Sequence, residues 1–455
     1  MPEREFDVII IGGGPAGYLA AERVGAKGLS VLLLEKDHLG GVCLNRGCIP
    51  TKTLLHSAKL YHSFKNAERY GVSAQDIHYD LSRAMAWKQR VIETLRRGVE
   101  SQMKRHHVTV MQSVGTFKDR NTVVADGVDY RGRSLVIASG SSSVRLPIKG
   151  AEDHRVLTSA QALEIESLPR RMVIIGGGVI GCEFASYFSM VGAEVTVIEL
   201  LPEIIPNLDP DIGALLREAM PEVSFHVGSR VEEITGGSAS KEGLTVTFSN
   251  EEGRDSLDAD AVLMAVGRAP NTGELGLDAI GLDFNRSGIT VNETMQTNVP
   301  GVFAVGDVNG RSLLAHSAYR MAEVAARTIC GESDQMRYHA VPWVVYTHPE
   351  VAGVGLTERE AARQGRRIEV RTLALRINGR FFAEHGNDPG ICKVIADADT
   401  GVLLGVQIVG TPGSEIIHGA AAMIEAELRV RDIREIVFPH PTVSEVIKDA
   451  LWAME

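Results

Sequence analysis

One unit of strand, glycine turn, helix, strand and acid occurs twice in this chain, 164 residues apart, and it restricts the possible folds more than any other feature. The first copy opens with Phe6-Asp7-Val8-Ile9-Ile10-Ile11, the near-continuous apolar run of a strand buried on both faces. It enters Gly12-Gly13-Gly14-Pro15-Ala16-Gly17, then a small-residue helix through Tyr18-Leu19-Ala20-Ala21-Glu22, then Val31-Leu32-Leu33-Leu34 ending on Glu35. The second copy reads Met172-Val173-Ile174-Ile175, Gly176-Gly177-Gly178-Val179-Ile180-Gly181, a helix, and Val195-Thr196-Val197-Ile198 ending on Glu199. In both, the acid stands 23 residues after the first glycine. Gly12, Gly14 and Gly17, and likewise Gly176, Gly178 and Gly181, permit a tight turn and close approach of a pyrophosphate to a helix N-terminus, and the acid accepts from ribose hydroxyls. A single such turn is also met where nothing binds; two complete units predict two dinucleotide sites.

The segment after the first copy carries Cys43 and Cys48 in Gly40-Gly41-Val42-Cys43-Leu44-Asn45-Arg46-Gly47-Cys48-Ile49-Pro50-Thr51-Lys52. A disulfide wants Cα atoms roughly 4.4–6.8 Å apart, whereas residues five apart in a helix are separated by about 7.5 Å along the axis alone. The spacing therefore predicts a break in helix between them, at Gly47, and Pro50 suits the first turn of a helix that continues through Leu55. Cys48 then lies at a helix N-terminus, which favours a thiolate. A structural disulfide or two unrelated buried thiols are the alternatives, although a ring this small constrains the unfolded chain by only about 2 kcal/mol. A redox thiol pair beside two dinucleotide sites needs a two-electron intermediary, so one site is expected to hold a tightly bound flavin and the other a diffusible nicotinamide. Glu199 repels a 2′-phosphate, and Leu200-Leu201-Pro202-Glu203-Ile204-Ile205-Pro206-Asn207 offers no cation to receive one, so NAD is expected over NADP.

Further strands end in turns at Ile137-Ala138-Ser139-Gly140-Ser141, at Val266-Gly267-Arg268-Ala269-Pro270-Asn271, and at Val305-Gly306-Asp307, where the acid could reach a hydroxyl or simply cap its loop. These ends divide the chain into one nucleotide domain from residues 1–144 completed by 271–337, and another from 145–270. Residues 338–455 read differently. Strand-like Glu369–Leu375, Cys392–Ala396 and Val402–Gly410 precede helices over about Ser414–Glu427 and from Val443 onward, which predicts an antiparallel sheet with helices and an interface role. Within it, Thr442-x-x-Glu445 reads as a helix capping box, and His440 with Glu445 reads equally as a general acid/base oriented by a carboxylate.

Composition sets the class. A net charge of −11 speaks against nucleic-acid or anionic-membrane partners, and no run approaches the roughly 18 apolar residues of a membrane span. A strand beginning at Phe6 leaves no room for a leader, so a cytoplasmic location is expected, and five cysteines over 455 residues are not a secreted disulfide framework. Cys182, Cys330 and Cys392 have no thiol or metal-ligand neighbour in sequence and are expected as small buried side chains; no metal site is expected.

Taken together, the Cys43–Lys52 motif, both glycine fingerprints, Gly306-Asp307 and His440-Pro441 with Glu445 resemble the flavin-dependent pyridine nucleotide-disulfide oxidoreductases over nearly the whole chain. Val345-Tyr346-Thr347-His348-Pro349-Glu350 and Pro412-Gly413-Ser414-Glu415 are similar to the branch that oxidises dihydrolipoamide, while Phe438-Pro439 before His440 departs from it. The resemblance implies an α/β chain of two Rossmann-like domains (three-layer ββα) and a C-terminal α+β dimerisation domain. It implies that Cys43 exchanges with the dithiol and Cys48 faces the flavin. His440, held by Glu445, is expected to act in trans from the partner of a homodimer, and Lys52 to approach the flavin and pair with Glu183. Flavin (FAD) contacts are implied at Glu35, Lys52, Gly115, Ser139, Gly140, Ser141, Asp307, Leu313, Leu314, Ala315 and His316, and NAD+/NADH contacts at Gly176, Gly178, Val179, Ile180, Gly181, Glu183, Glu199 and Gly267. Packing explains His316 and Tyr18 as well as chemistry does. The implied partner is a lipoyl-bearing carrier of a 2-oxoacid dehydrogenase or glycine cleavage complex. Related glutathione-type or mercuric-type reductases, or a chiefly structural flavoprotein of such an assembly, are the alternatives.

Overall fold

The computed structural model describes residues 4–236 and 243–454. They form two compact units, one from residues up to Thr53, Ser82–Val144 and Gly267–Arg337, the other from Leu54–Leu81, Arg145–Val266 and residues from Tyr338 on.

The first unit begins with β1 (Glu5–Ile11), α1 (Pro15–Ala26) and β2 (Val31–Glu35), followed by α2 (Gly41–Arg46), the start of α3 (Cys48–Lys65), and α4 (Leu81–Arg105). Strands β3 (Thr109–Gln112), β4 (Thr116–Asp119), β5 (Thr122–Ala125) and β6 (Val128–Ile137) complete a sheet ordered β3-β2-β1-β6-β5-β4. The neighbours of β1 run parallel to it, and β4, β5 and β6 form an antiparallel meander. Val8, Ile9 and Ile10 are fully buried, as a central parallel strand requires.

The second unit repeats the plan. Strands β7 (Val156–Leu157), β8 (Arg171–Ile175), β9 (Glu194–Ile198), β10 (Val223–His226) and β11 (Ala261–Met264), with helices α5 (Val179–Met190) and α6 (Pro210–Glu218), build an all-parallel sheet ordered β10-β9-β8-β11-β7. An antiparallel sheet of Arg230–Gly236, Leu244–Asn250 and Gly253–Ala259 shares its core through Ile234, Val246 and Phe248. The two copies agree in register: Ile11 pairs with Leu34 and Ile175 with Ile198, so each acid lies one residue past the last pair, level with its glycine turn. The chain then returns to the first sheet, where β12 (Val302–Ala304) pairs in parallel with β6 and leads to α7 (Ala315–Ile329).

The C-terminal part is α+β. Strands β13 (Trp343–Val345), β14 (Val351–Gly355), β15 (Ile368–Ala374), β16 (Ile391–Asp397) and β17 (Leu403–Val409) form an antiparallel sheet ordered β13-β14-β17-β16-β15, with helices α8 (Glu358–Arg363), α9 (Gly413–Glu425), α10 (Val430–Arg434) and α11 (Glu445–Trp452). Its core joins Val394, Val406 and Ile408 of the sheet to Ile417 and Ala420 of α9 and Ile447 and Leu451 of α11. The last helix starts two residues later than the sequence suggests. Glu445 accepts from the Thr442 N–H (3.0 Å), but the Thr442 hydroxyl donates to Pro439 O (2.8 Å), so only half of the anticipated capping box forms.

Candidate active site

Each glycine turn is shaped by sterics that tolerate no side chain. A Cβ on Gly17 would lie 1.7 Å from the Gly12 carbonyl oxygen, and one on Gly181 would lie 1.9 Å from that of Gly176. Gly12 and Gly176 adopt φ +107° and +106°, a region that favours glycine, and each packs on the backbone at the end of the neighbouring strand. The middle glycines differ: a Cβ on Gly178 would meet nothing within 4 Å, and one on Gly14 only Gly41 Cα at 3.8 Å. That space lies at the start of a twelve-residue helix whose N-cap is glycine, with no side-chain cap and no acid in its first turn, in both α1 and α5. Open space and uncapped N–H groups fit a pyrophosphate. The acids are in place, since Glu35 Oε2 accepts from the Gly13 N–H (2.6 Å) and Glu199 Oε2 from the Gly177 N–H (2.5 Å). Burial pushes the Glu35 carboxyl up.

The cysteine segment folds back on the first turn. Gly40 N–H donates to Gly13 O (2.8 Å), and at Gly41 a Cβ would come 2.6 Å from Gly14 Cα, so α2 can seat against the fingerprint only because that residue is glycine. Asn45 Nδ2 donates to Leu39 O and Gly41 O, pinning the loop, while its Oδ1 is buried without a partner. Helix breaks at Gly47, where a Cβ would press on Val42 O at 2.9 Å, and α3 starts at Cys48 itself. Cys43 and Cys48 are half-buried thiols hydrogen-bonded to each other. That bond, and then burial, hold the Cys43 thiol well above the ordinary range, with the Lys52 ammonium pulling the other way. One proton thus belongs on Cys43, and the helix N-terminus favours negative charge on Cys48.

Around the thiols, residues distant in sequence meet. Ser141 Oγ donates to Asp307 Oδ2 (2.5 Å), and Arg268 donates to Ser141 Oγ (2.8 Å) and Ser141 O (2.6 Å). Burial raises the Asp307 carboxyl and lowers the Arg268 guanidinium, which lies within electrostatic reach of Asp307 and Cys48. Ser139 Oγ donates to Asn271 O (2.7 Å), and Asn271 N–H donates to Gly140 O (2.9 Å). Gly115 is a packing position, where a Cβ would lie 2.7 Å from Leu34 Cδ1. Leu313 is exposed, Leu314 is the N-cap of α7 and Ala315 its first residue. His316 lines a cleft of about 420 Å³ with Tyr18, Leu19, Arg23, Tyr319, Arg320 and Glu323. Tyr18 and Tyr319 share a hydrogen bond of 2.5 Å there, and burial is the chief cause that raises both hydroxyls. Sequence reading missed Arg268, Asn271 and Tyr319. The first two stand beside the singled-out Gly267, which belongs to the first unit at φ +110°, and that adjacency was the available signal.

In the second unit Glu183 is buried in α5 and accepts from Tyr346 N–H (3.1 Å), and Val179 and Ile180 form the first turn of that helix. His440 Nδ1 lies 3.1 Å from both oxygens of Glu445. Hydrogen bonding from the Thr442 N–H lowers the Glu445 carboxyl despite partial burial, with His440 adding to the effect. Nδ1 is therefore the donor and Nε2 is left to accept a proton, on a side chain that is 81% exposed. Cys182 and Cys392 are buried and Cys330 is half-buried; burial raises all three thiols. Among the described residues no cluster of His, Cys, Asp or Glu is placed to hold a metal ion, and no helix is long and apolar enough to cross a membrane.

Known proteins share this organisation. Residues 6–322 match the family described as pyridine nucleotide-disulphide oxidoreductase, and residues 341–451 match its dimerisation domain. The dihydrolipoyl dehydrogenase of Thermus scotoductus is 39% identical over 99% of this chain and 98% of its own length. Among solved structures, LpdA of Mycobacterium tuberculosis superposes with a TM-score of 0.89 at 26% identity, covering 98% of both chains. The HOCl-induced flavoprotein disulfide reductase of Escherichia coli superposes with a TM-score of 0.86 at 28% identity, covering 98% of this chain and 99% of that one.

Proposed function

The chain belongs to the pyridine nucleotide-disulphide oxidoreductases, and from that membership we propose that it is an FAD-dependent dihydrolipoyl dehydrogenase, oxidising dihydrolipoamide to lipoamide and reducing NAD+. The observation that carries the reading is the hydrogen-bonded Cys43–Cys48 pair seated on the first dinucleotide turn, with Lys52 alongside. Residues 1–144 and 271–337 are assigned to FAD, 145–270 to NAD, and 338–455 to dimerisation. In the first, the open space at Gly14, the uncapped start of α1, Glu35 and the Ser141–Asp307 pair would hold the flavin. In the second, Gly176, Gly178, Gly181 and Glu199 would hold the nicotinamide nucleotide, with Glu183 in the helix that starts at the turn.

Bound FAD supplies the two-electron relay between the cysteine pair and NAD+. The protein's own part begins with the Cys43–Cys48 disulfide. Nε2 of His440 takes the proton of one substrate thiol while Glu445 holds Nδ1, and the resulting thiolate attacks Cys43 Sγ. The Cys43–Cys48 bond breaks, Cys48 leaves as a thiolate beside the N-terminus of α3, and the substrate is joined to Cys43. The second substrate thiol then gives its proton to Cys43 Sγ as it attacks the first substrate sulfur in that mixed disulfide, closing lipoamide and releasing Cys43 as the thiol. The His440 side chain is exposed, in a segment that also exposes Ile436 and the 92%-exposed Val437, which supports action on a second copy of the chain in a homodimer. A lipoyl-bearing carrier protein is the proposed source of the dithiol.

The test is an assay of dihydrolipoamide with NAD+, run beside glutathione disulfide with NADPH. Turnover in the first alone supports the reading; turnover only in the second overturns it.

A further inference from the structure

The loop that presents Glu199 is unusually tense. After β9, Glu199 Oε1 accepts from Leu201 N–H (2.7 Å), and Ile205 N–H returns to Gly177 O (2.9 Å) with φ +43° at Ile205, a left-handed conformation that a β-branched residue rarely takes. Such a geometry persists only where the surroundings over-determine it. Here the far end of the loop is gripped by the C-terminal sheet and α8, within the same compact unit. The Arg359 guanidinium donates to Pro206 O and reaches Leu208 O (3.4 Å). Asp209 stands at the N-cap position of α6 yet gives that helix no side-chain cap. Its carboxylate instead accepts from the N–H groups of Glu358 and Arg359 at the start of α8 (3.1 and 3.3 Å) and from Gln407 Nε2 of β17, while the Asp209 backbone N–H donates to Gln407 Oε1 (3.2 Å). Lys393, paired across strands with Gln407, has a side chain only 4% exposed and binds Asp211 (2.7 Å) and Glu358 (2.7 Å), with Asp209 at 3.6 Å. Burial opposes its charge, but these carboxylates outweigh burial and hold its ammonium above the usual range.

We propose that Arg359, Asp209, Gln407 and Lys393 are positioning residues for nicotinamide-nucleotide binding: they clamp residues 199–209 in the strained path that aims Glu199 at the ribose, so nucleotide affinity depends on the C-terminal domain. The proposal rests on the reading of Gly176 to Glu199 as the NAD site. Arg359 is exposed and pairs with backbone carbonyls of the loop, which makes it the variant least entangled with folding.

Calorimetric titration of the flavin-loaded enzyme with ADP-ribose tests it. Arg359→Ala should raise Kd about five- to tenfold, on the scale of losing one charge-assisted hydrogen bond, and Arg359→Lys should recover part of the loss. Flavin content and the rate at which dihydrolipoamide reduces the enzyme should stay within about twofold of wild type, which separates positioning from general destabilisation. Glu199→Ala is the control on the underlying reading: if it leaves Kd unchanged, the site assignment itself fails. If Glu199→Ala weakens binding while Arg359→Ala leaves Kd unchanged, or lowers flavin content and dithiol reduction along with it, the clamp is refuted.

Discussion

The two dinucleotide units have nearly the same turn and different destinies. In each, the second glycine donates its N–H to the acid, at 2.6 Å for Gly13 and Glu35 and 2.5 Å for Gly177 and Glu199. In each, that glycine's carbonyl accepts from a residue just beyond the acid, at 2.8 Å from Gly40 and 2.9 Å from Ile205. They diverge at that point. Gly40 and Gly41, both at positive φ, let the chain lie back on Gly14 and break into two short-spaced helices that carry the thiols. Ile205 and Pro206 instead send the chain away to α6 and the clamp around Asp209. A handful of glycines and one acid build each turn, and the residues after the acid decide whether the chain also brings thiols to it.

The largest effects should come from breaking the frames one at a time. Gly17→Ala and Gly181→Ala each place a Cβ within 2 Å of a backbone oxygen, an overpacking cost of about 3 kcal/mol or more. Gly17→Ala should purify without flavin, and Gly181→Ala should keep flavin but lose NADH binding, as read by flavin absorbance and nucleotide titration; equal losses in both would erase the distinction between the sites. Gly14→Ala and Gly178→Ala enter open space, so folding should change by no more than about 1 kcal/mol while each unit loses affinity for its own nucleotide.

Next in size is the proton-transfer step. His440→Gln should slow dihydrolipoamide oxidation roughly 10²- to 10³-fold while leaving NADH oxidation by an artificial acceptor unchanged, since the proposed base acts only on the substrate thiol. Glu445→Gln, which keeps the Thr442 contact but removes the charge, should cost about tenfold in the same assay.

The smallest effect concerns acid stability of the second unit. Burial, reinforced by His62 and Lys59, lowers His348 to about 4. Its folded pKa lies below its unfolded value of about 6.5, so protons bind the unfolded chain more readily. The stabilisation from neutral His348 is complete above about pH 6.5 and is lost as pH falls toward 4. Thermal melts across that interval should decline less steeply for His348→Gln than for wild type; parallel curves would remove His348 from the account.

Both frames were legible in sequence because their parts are local: a strand, glycines whose neighbours lie within a few residues, and an acid at a fixed distance. The helix break at Gly47 was legible for the same reason. His440 and Glu445 were ambiguous because the two readings compete for one carboxylate, and Glu445 serves both, accepting from Thr442 N–H and from His440. What stayed hidden was long-range. Arg268 meets Ser141 across 127 residues, Asp209 meets Gln407 across 198, and Tyr18 meets Tyr319 across 301. No periodicity or spacing encodes such pairs, which exist only once the sheets have formed.

We propose that electrons from the dithiol enter through the cysteine loop of the first frame and leave through the nucleotide bound at the second. Anaerobic mixing of the flavin-loaded enzyme with dihydrolipoamide and NAD+ tests it most directly, with Cys43→Ser and Cys48→Ser beside wild type. NADH should form with wild type and with neither variant, although both retain flavin. NADH formation at an undiminished rate by either variant would rule out the cysteine loop as the point of entry.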